Sequence, residues 1–542
     1  MSLVFCKLTA ELQSPPVSTS LYLGLDCSTQ GMAALVLEVE PGRRRIVLER
    51  ELVFDRDLPA YGTRNGVLPD ADARVAAAPP LMWAEALDRI MGLVARDLGP
   101  AAASIRAVSG AAQQHGTVYL NASADRVWAR LDPGQSLGSQ IADIFSRDRS
   151  PIWMDASTAS QCAAITKAIG GDRPLAGLTG SRAFERFGGP QIRKFFEQDA
   201  AAYDRTRTIH LVSSYLASLL AGAHAPIDPG DGSGMNLMDI RTREWAPQAL
   251  DATAPGLAVR LPPLRASDTV AGTLAPYWTT RYGFPRANVV AWSGDNPSSL
   301  IGVGLIEEGR VAISLGTSDT MFVYMREPHL DANGAGHVFG APTGDYMALV
   351  CFANGSLARE RVRDAYGLDW DGFSRALRAT PPGNGGALML PWFVPEITPA
   401  VASPGVHRRG LDPADAAANV RAVVEAQMLA MAIHSEWTGV RAGVIHATGG
   451  ASVNPDILQV MADVFGRDVY RLEAADSPAL GAALRAFHAD EKSEGRSMPW
   501  RDIVAGIAEP VAATRVAPVP EHVRVYERMK KEYAAFEQAE LA

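Results

Sequence analysis

Two distant stretches of the chain carry the same local design, and this repeat constrains the fold most. "LYLGLDCSTQ", from Leu21, is an apolar strand that runs into Gly-x-Asp-x-Ser-Thr; "MAALVLEVE" then leaves as a second strand. "VAISLGTSDTMFVYM", from Val311, repeats it: an apolar strand, the turn Gly316-Thr317-Ser318-Asp319, and a second strand. Two such runs joined by small polar residues form a hairpin pattern. A second pair follows the first. "NVVAWSGDN" and "GVIHATGGAS" are apolar strands ending at glycine, and each leads into a helix-like segment, "NPSSLIGVGL" and "NPDILQVMADVF". The order hairpin, then strand–turn–helix, thus occurs twice and predicts two related α/β halves. The boundary falls near Gly302, giving segments 1–302 and 303–542.

Composition narrows the range of partners. The 542 residues exceed one ordinary core, so two or three domains are expected. The net charge of −9 argues against nucleic acid, which needs a basic face. Short basic clusters such as Arg43-Arg44-Arg45 read as solvated surface. Cys6, Cys27, Cys162 and Cys351 are far apart and form no CxxC pair, which fits a reducing cytoplasm. The first twenty residues make a poor signal peptide. No apolar run reaches the roughly 18 residues of a membrane span; "LVSSYLASLLAGA" (Leu211 to Ala223) comes closest and reads as a buried helix. "LMWAEALDRIMGLVARDL" and "ANVRAVVEAQMLAMAIHSEW" show helical periodicity, while "DPGDGSG" (228–234) and "PPGNGG" (381–386) read as loops.

The turns carry the chemistry. Small residues let backbone N–H groups approach a phosphate, hydroxyls of Ser28 and Thr29 add donors, and the Asp26 carboxylate can hold Mg²⁺. Gly316 and Thr317 offer the same donors from the other half. "ATGGASVN" places Gly449 and Gly450 where a strand meets a helix, and Ser452 or Asn454 can cap that helix or bind a ligand. In "SGDNPSSLIG", Asn296 suits an N-cap and Pro297 the first helical turn. Asp295 then lies just before the cap, at a strand tip. The chain has no GxxxxGK[ST], no HExxH and no spaced Cys/His cluster, so neither a P-loop nor a zinc site is expected.

"GLDCSTQ", "FDRDLP", "QQHGTVY", "PIWMDAST", "LTGSRAFERF", "DGSGMNLMDI", "SGDNPSSLIG", "SLGTSDTMF" and "ATGGASVNPDILQVMADVFG" occur in an order and spacing that resemble the FGGY carbohydrate kinases, of the actin/hexokinase superfamily. The resemblance is strongest to members that phosphorylate D-xylulose. It implies two ribonuclease-H-like domains with sugar and ATP in the cleft between them. Asp295 matches the family's catalytic aspartate and general base. His115, Arg186 and Asn296 match sugar-contacting positions. Asp26, Ser28 and Thr29 match the first phosphate and Mg²⁺ motif, Gly316 and Thr317 the second. Gly449, Gly450 and Asn454 match the adenosine motif, and Trp370 falls near an adenine contact. The implied enzyme is a cytoplasmic monomer or homodimer with no nucleic acid or membrane partner.

Each of these residues also has a plainer reading. His115 can be a packed core histidine, and Arg186 can pair with Glu185. Asp155, in "WMDAST", reads as a sugar-side neighbour or equally as the cap of a helix starting at Ser157. One departure stands out. Relatives usually carry Lys seven residues after the motif's aspartate, and here that position is Ala33; a smaller one is Gly188, where Thr is usual. A cation at position 33 helps neutralise the transferring phosphoryl group. The alternatives are therefore a kinase for another sugar or polyol, such as ribulose, or a weakly active sensor of nucleotide or sugar.

Overall fold

The computed structural model describes residues 19–331, 334, 336–472 and 476–542. Cys6 and the expectation about the N-terminal segment lie outside them. The first hairpin forms as expected: β1 (Ser20–Cys27) and β2 (Gly31–Glu40) pair antiparallel, and β3 (Arg43–Val53) continues the meander. Leu21, Leu23, Leu25 and Cys27 face one core, against α1 (Pro80–Leu98). Tyr22 and Gly24 face the other side, so β1 is buried on both faces. β4 (Ile105–Ala112) joins β1 in parallel, and β5 (Val270–Thr273) and β6 (Asn288–Val290) complete the order β5-β6-β4-β1-β2-β3. α2 (Asp295–Gly302) follows at once.

The second sheet repeats this topology. β7 (Arg310–Leu315) and β8 (Asp319–Met325) form the hairpin, followed by β9 (His337–Gly340) and β10 (Tyr346–Phe352). α3 (Trp370–Ala379) and α4 (Ala416–His434) precede β11 (Val444–Thr448). α5 (Pro455–Phe465), β12 (Asp468–Arg471) and α6 (Ser477–Ser493) follow, and the sheet order is β9-β10-β8-β7-β11-β12. In both sheets an antiparallel set, three strands in the first (β1–β3) and four in the second (β7–β10), is extended by two parallel strands beside its first strand. This is the two-domain α/β architecture expected. The parallel strands run β1, β4, β6 in one half and β7, β11, β12 in the other. Ligand sites form beyond the carboxyl ends of such strands.

Three expectations change. The sheet order pairs β6 with β12, and β4 with β11, so "NVVAWSGDN" and "GVIHATGGAS" are not counterparts. Both end at glycine because both meet a turn, and local turn chemistry carries no record of strand order. The segment 228–234 is a buried helical turn (Pro229–Gly232, then Ser233–Met235), not an open loop. Asp228 caps it by accepting from the Asp231 N–H, which lets a Gly-rich stretch turn helically inside the protein. The apolar segment nearest to a membrane span is Ala416–Thr438, rather than 211–223. Of its 18-residue apolar window 78% is buried, within the second core.

α6 lies far along the chain yet packs on the first sheet. Ala479 and Ala483 sit against Gly24, where a Cβ would lie 2.0 Å from the Ala479 carbonyl oxygen. Arg485 is buried and donates to the carbonyls of Ala291 and Gly110. α6 also crosses α2 backbone to backbone. A Cβ at Gly302 would meet the Ser477 carbonyl oxygen at 2.0 Å, and one at Gly481 the Ser298 carbonyl oxygen at 1.9 Å. Ser298 Oγ donates across the crossing to the Pro478 carbonyl (2.9 Å).

A side chain at this crossing must push the helices apart. Gly481→Val is expected to destabilise the fold by about 3 kcal/mol or more, because overpacking a dense core forces backbone shifts. Thermal denaturation reads this as a Tm fall of roughly 5–10 °C. Gly177→Ala, whose Cβ meets nothing within 4 Å, is the neutral control.

Candidate active site

Asp26 is the penultimate residue of β1, directly opposite Ala33 in the hairpin register. Its side chain is buried, and Oδ1 has no hydrogen-bond partner among the described residues. Burial, then the nearby Asp476 and Asp295, holds its carboxyl well above the usual range. Asp26, Ala33, Glu49, Glu51 and Asp476 line a cavity of about 300 Å³. Arg50 borders it too, but its guanidinium is committed to Asp97 (2.5 Å) and the Glu49 carbonyl (2.6 Å). Among the described residues the corner is thus rich in carboxylates and lacks a cation directed at Asp26.

Magnesium fits this corner by its donor set. An orphaned carboxylate oxygen beside an acidic cavity suits a hard cation held by one or two carboxylates, its other positions left to water and phosphate. No three described His, Cys, Asp or Glu side chains converge as a closed metal cage.

The turn after Asp26 is internally fixed. Ser28 Oγ donates to the Gly31 carbonyl (3.2 Å), and Thr29 Oγ1 accepts from Trp153 Nε1 (2.8 Å). The matching turn in the other half is pinned differently. Asp319, at the start of β8, forms a fully buried double hydrogen bond with Arg359 (2.8 and 2.9 Å), and the Gly316 carbonyl accepts from the Ser356 N–H (2.8 Å). Only the first turn presents an unpaired carboxylate.

A second cavity, of about 340 Å³, brings together His115, Trp153, Arg186, Asp295 and Asn296 from the first half and Thr320 from the second. Asp295 starts α2 as its first helical residue, with Gly294 as N-cap. The cap is two residues earlier than the expected Asn296, because Asp295 itself satisfies an early helical donor: its Oδ1 accepts from the Asn296 N–H (2.8 Å). Burial nevertheless outweighs these bonds and raises its carboxyl to about 6. Asn296 Nδ2 donates to Gln114 Oε1 (3.0 Å) and to Asp295 Oδ1 (3.1 Å), which fixes the orientation of the amide.

His115 follows β4 with φ +74, an uncommon conformation for a residue with a side chain. Its Nδ1 lies 2.9 Å from the Gly234 carbonyl, so Nδ1 carries the proton and Nε2 is the acceptor. Burial, then Arg186, pushes its pKa down to about 3, so the ring stays neutral. Arg186 makes no ion pair with Glu185. Its guanidinium lies over the rings of Phe184 (5.2 Å) and Phe187 (5.9 Å) and contacts His337 Nε2 (3.1 Å). Asp155 is committed to structural bonds: it accepts from Ala76 N (3.1 Å), Ser157 N (3.0 Å), Ser157 Oγ and Gln191 Nε2 (2.8 Å), near a helix that starts at Ala159.

The adenosine candidates gather in the second half. Gly449 has φ +82, and a Cβ there would lie 2.7 Å from the Leu315 carbonyl oxygen, so the β11 turn abuts the end of β7. Asn454 caps α5 by accepting from Asp456 N (3.0 Å) and Ile457 N (3.3 Å), while its Nδ2 donates to Ser374 Oγ (2.8 Å). Ser374 lies one turn along α3 from Trp370, which is 41% exposed and packed under Arg363 (4.5 Å). Trp370, Asn454 and the two glycines therefore border one face. Sequence reasoning assigned no role to Gln114, Trp153 or His337. Trp153 stood inside the quoted "PIWMDAST", but nothing local distinguishes an exposed tryptophan that meets Thr29.

Two family models match the chain: the N-terminal domain of the FGGY family of carbohydrate kinases over residues 149–302, and its C-terminal domain over residues 311–489. The xylulose kinase of Mus musculus is 42% identical over 529 residues, 95% of this chain and 94% of that protein. Xylulose kinase 2 of Arabidopsis thaliana is 43% identical and covers 88% of both. The crystal structure of a xyloylose kinase from Brucella ovis superposes with a TM-score of 0.80 at 22% identity, over 96% of this chain and 99% of that one.

The raised carboxyl of Asp295 makes stability depend on pH. The unfolded chain releases this proton near 3.8 and the folded one near 6. Its stabilising contribution is present below the unfolded value and is lost as pH rises towards 6. At about 1.4 kcal/mol per tenfold in the ionisation constant, the cost at neutral pH is about 3 kcal/mol. Asp295→Asn is therefore expected to raise Tm at pH 7, with the gain shrinking towards pH 4. A Tm difference that does not change with pH would exclude this coupling.

Proposed function

The chain belongs to the FGGY family of carbohydrate kinases, and from that premise we propose that it transfers the γ-phosphoryl group of ATP to D-xylulose, giving ADP and D-xylulose 5-phosphate. The observation that carries the proposal is the shared cavity of Asp295, His115, Arg186 and Asn296. Relatives that bear the name xylulose kinase support the choice of sugar. We place the division between the sugar-binding and nucleotide-binding parts near Gly302, with 1–302 and 303–542 as the two domains. Free Cys27, Cys162 and Cys351 fit action in the cytoplasm, as a monomer or homodimer.

In this reading Asp295 is the general base. Its carboxylate orients the primary hydroxyl and accepts its proton as oxygen attacks the γ-phosphorus; the bond to ADP breaks, and ADP leaves with the electron pair. A pKa of about 6 suits the task, since the group is mostly ionised at neutral pH yet basic enough to take a proton. Neutral His115 accepts from a sugar hydroxyl through Nε2. Arg186 and the Asn296 amide donate to sugar oxygens. Backbone N–H groups of the Ser28-Thr29 and Gly316-Thr317 turns hold the phosphates from the two sides, and Gly449, Gly450, Asn454 and Trp370 hold the adenosine. Mg²⁺ at Asp26, when bound, neutralises charge on the phosphates. Neighbouring helices hold each group in place, so little reorganisation is needed during reaction.

Sugar turnover measured as ADP release over a panel of ketoses and polyols is expected to be fastest with D-xylulose; faster turnover of D-ribulose would overturn the assignment. Asp295→Asn should keep sugar binding and lose about 10²–10⁴-fold in kcat, the usual range for a general base. In the unmodified protein kcat should fall as pH drops below about 6. Ala33→Lys brings an ammonium opposite Asp26 and among Glu51 and Asp476. It is expected to lower KM for ATP by about threefold or more, through one charge-assisted contact to phosphate.

A further inference from the structure

Arg186 stands in the first half, but the group that orients it comes from the second. Among the described residues its guanidinium has one hydrogen-bond partner, His337 Nε2 at 3.1 Å, and no carboxylate pairs with it. His337 is 1% exposed at the start of β9. Its ring stacks on Phe339 (5.6 Å, 12°) and meets Phe184 edge-on (4.5 Å). Its Nδ1 lies 3.2 Å from Ser181 Oγ.

These contacts assign the tautomer. A guanidinium only donates, so His337 Nε2 must be the bare acceptor and Nδ1 must carry the proton, donated to Ser181. Burial and Arg186 both disfavour the charged ring, which agrees with the neutral tautomer. β9 is itself seated on the first half: Val338 N donates to the Gly180 carbonyl (3.0 Å) and Gly340 N to Ser233 Oγ (3.1 Å). Ser181, His337 and Arg186 thus form one relay that begins and ends in the first half and passes through the second.

We propose that His337 is a positioning residue for sugar recognition: its Nε2 holds the Arg186 guanidinium towards the cavity, so that sugar affinity depends on β9 being seated against the first half. The inference rests on Arg186 contacting the sugar. Phe184 and Phe187 place their rings near the guanidinium (5.2 and 5.9 Å) but offer it no hydrogen-bond acceptor, so they do not fix its rotation; a single acceptor does.

Steady-state kinetics and a double-mutant cycle on the full-length protein test the inference. His337→Leu removes the acceptor, and His337→Gln replaces it with an amide oxygen of similar reach. His337→Leu is expected to raise KM for D-xylulose about tenfold or more, as loss of a hydrogen bond to a charged group does, with KM for ATP within about twofold. His337→Gln should recover most of the loss. In an Arg186→Gln background, His337→Leu should add almost nothing, because residues that act through one another are non-additive. The same increment in both backgrounds would overturn the positioning role while leaving Arg186 as a sugar contact. Unchanged sugar KM in Arg186→Gln alone would overturn the sugar contact itself, and the inference with it. If ATP and sugar KM rise together and Gln does not rescue, His337 supports only the fold and the inference falls.

Discussion

The close crossing of α2 and α6 is the constraint on which the site depends. Both helices follow the last strand of their half, and both have an acidic residue at the start, Asp295 as the first residue of one and Asp476 as the N-cap of the other. Gly302 and Gly481 let the two backbones touch, and the buried Arg485 ties α6 to strand-end carbonyls of the first sheet. Because α6 covers β1, this contact also sets where Asp26 stands relative to Asp295. A carboxylate that must meet a hydroxyl within hydrogen-bond reach needs placement of this kind, and packed backbone supplies it more rigidly than long side chains can.

The same packing makes the site electrostatically costly. Asp26, Asp231 and Asp295 are all shifted towards their neutral acids, and His115 and His337 towards their neutral bases. Burial is the largest cause in each case. The first cavity adds Glu49, Glu51 and Asp476, with Ala33 at the position where the sequence resemblance leads us to expect a lysine. A fold selected for stability alone would not gather these carboxyls; a site that handles a cation, a polyphosphate and a mobile proton has reason to. The two turns that resemble each other in sequence have diverged here. Asp319 is neutralised by Arg359, while Asp26 is left without a partner.

Much of the fold could be read from the chain because the informative signals are local. Apolar runs and small polar turns specify both hairpins, and Asn-Pro sequences mark the start of α5 at its cap and that of α2 to within two residues. The error over which strand corresponds to which shows the limit of such signals. "SGDN" and "TGGAS" look alike because each turns a strand into a helix. Strand order depends on neighbours that the turn does not encode. The membrane-length run was misplaced for a related reason, since hydropathy does not tell a core helix from a spanning one.

Residue types, their order and their turn chemistry were determined by the sequence alone, and with them the family, the two halves and the candidates Asp26, His115, Arg186 and Asp295. Tertiary structure decided the state of each candidate. It placed Asp155 in structural support and Arg186 against aromatic rings instead of Glu185, chose the His115 and His337 tautomers, and raised Asp295 into the range where it can exchange a proton. Desolvation and hydrogen bonds across large sequence separations set those states. His337 and Arg186 lie 151 positions apart, and no local pattern records which partner closes on which.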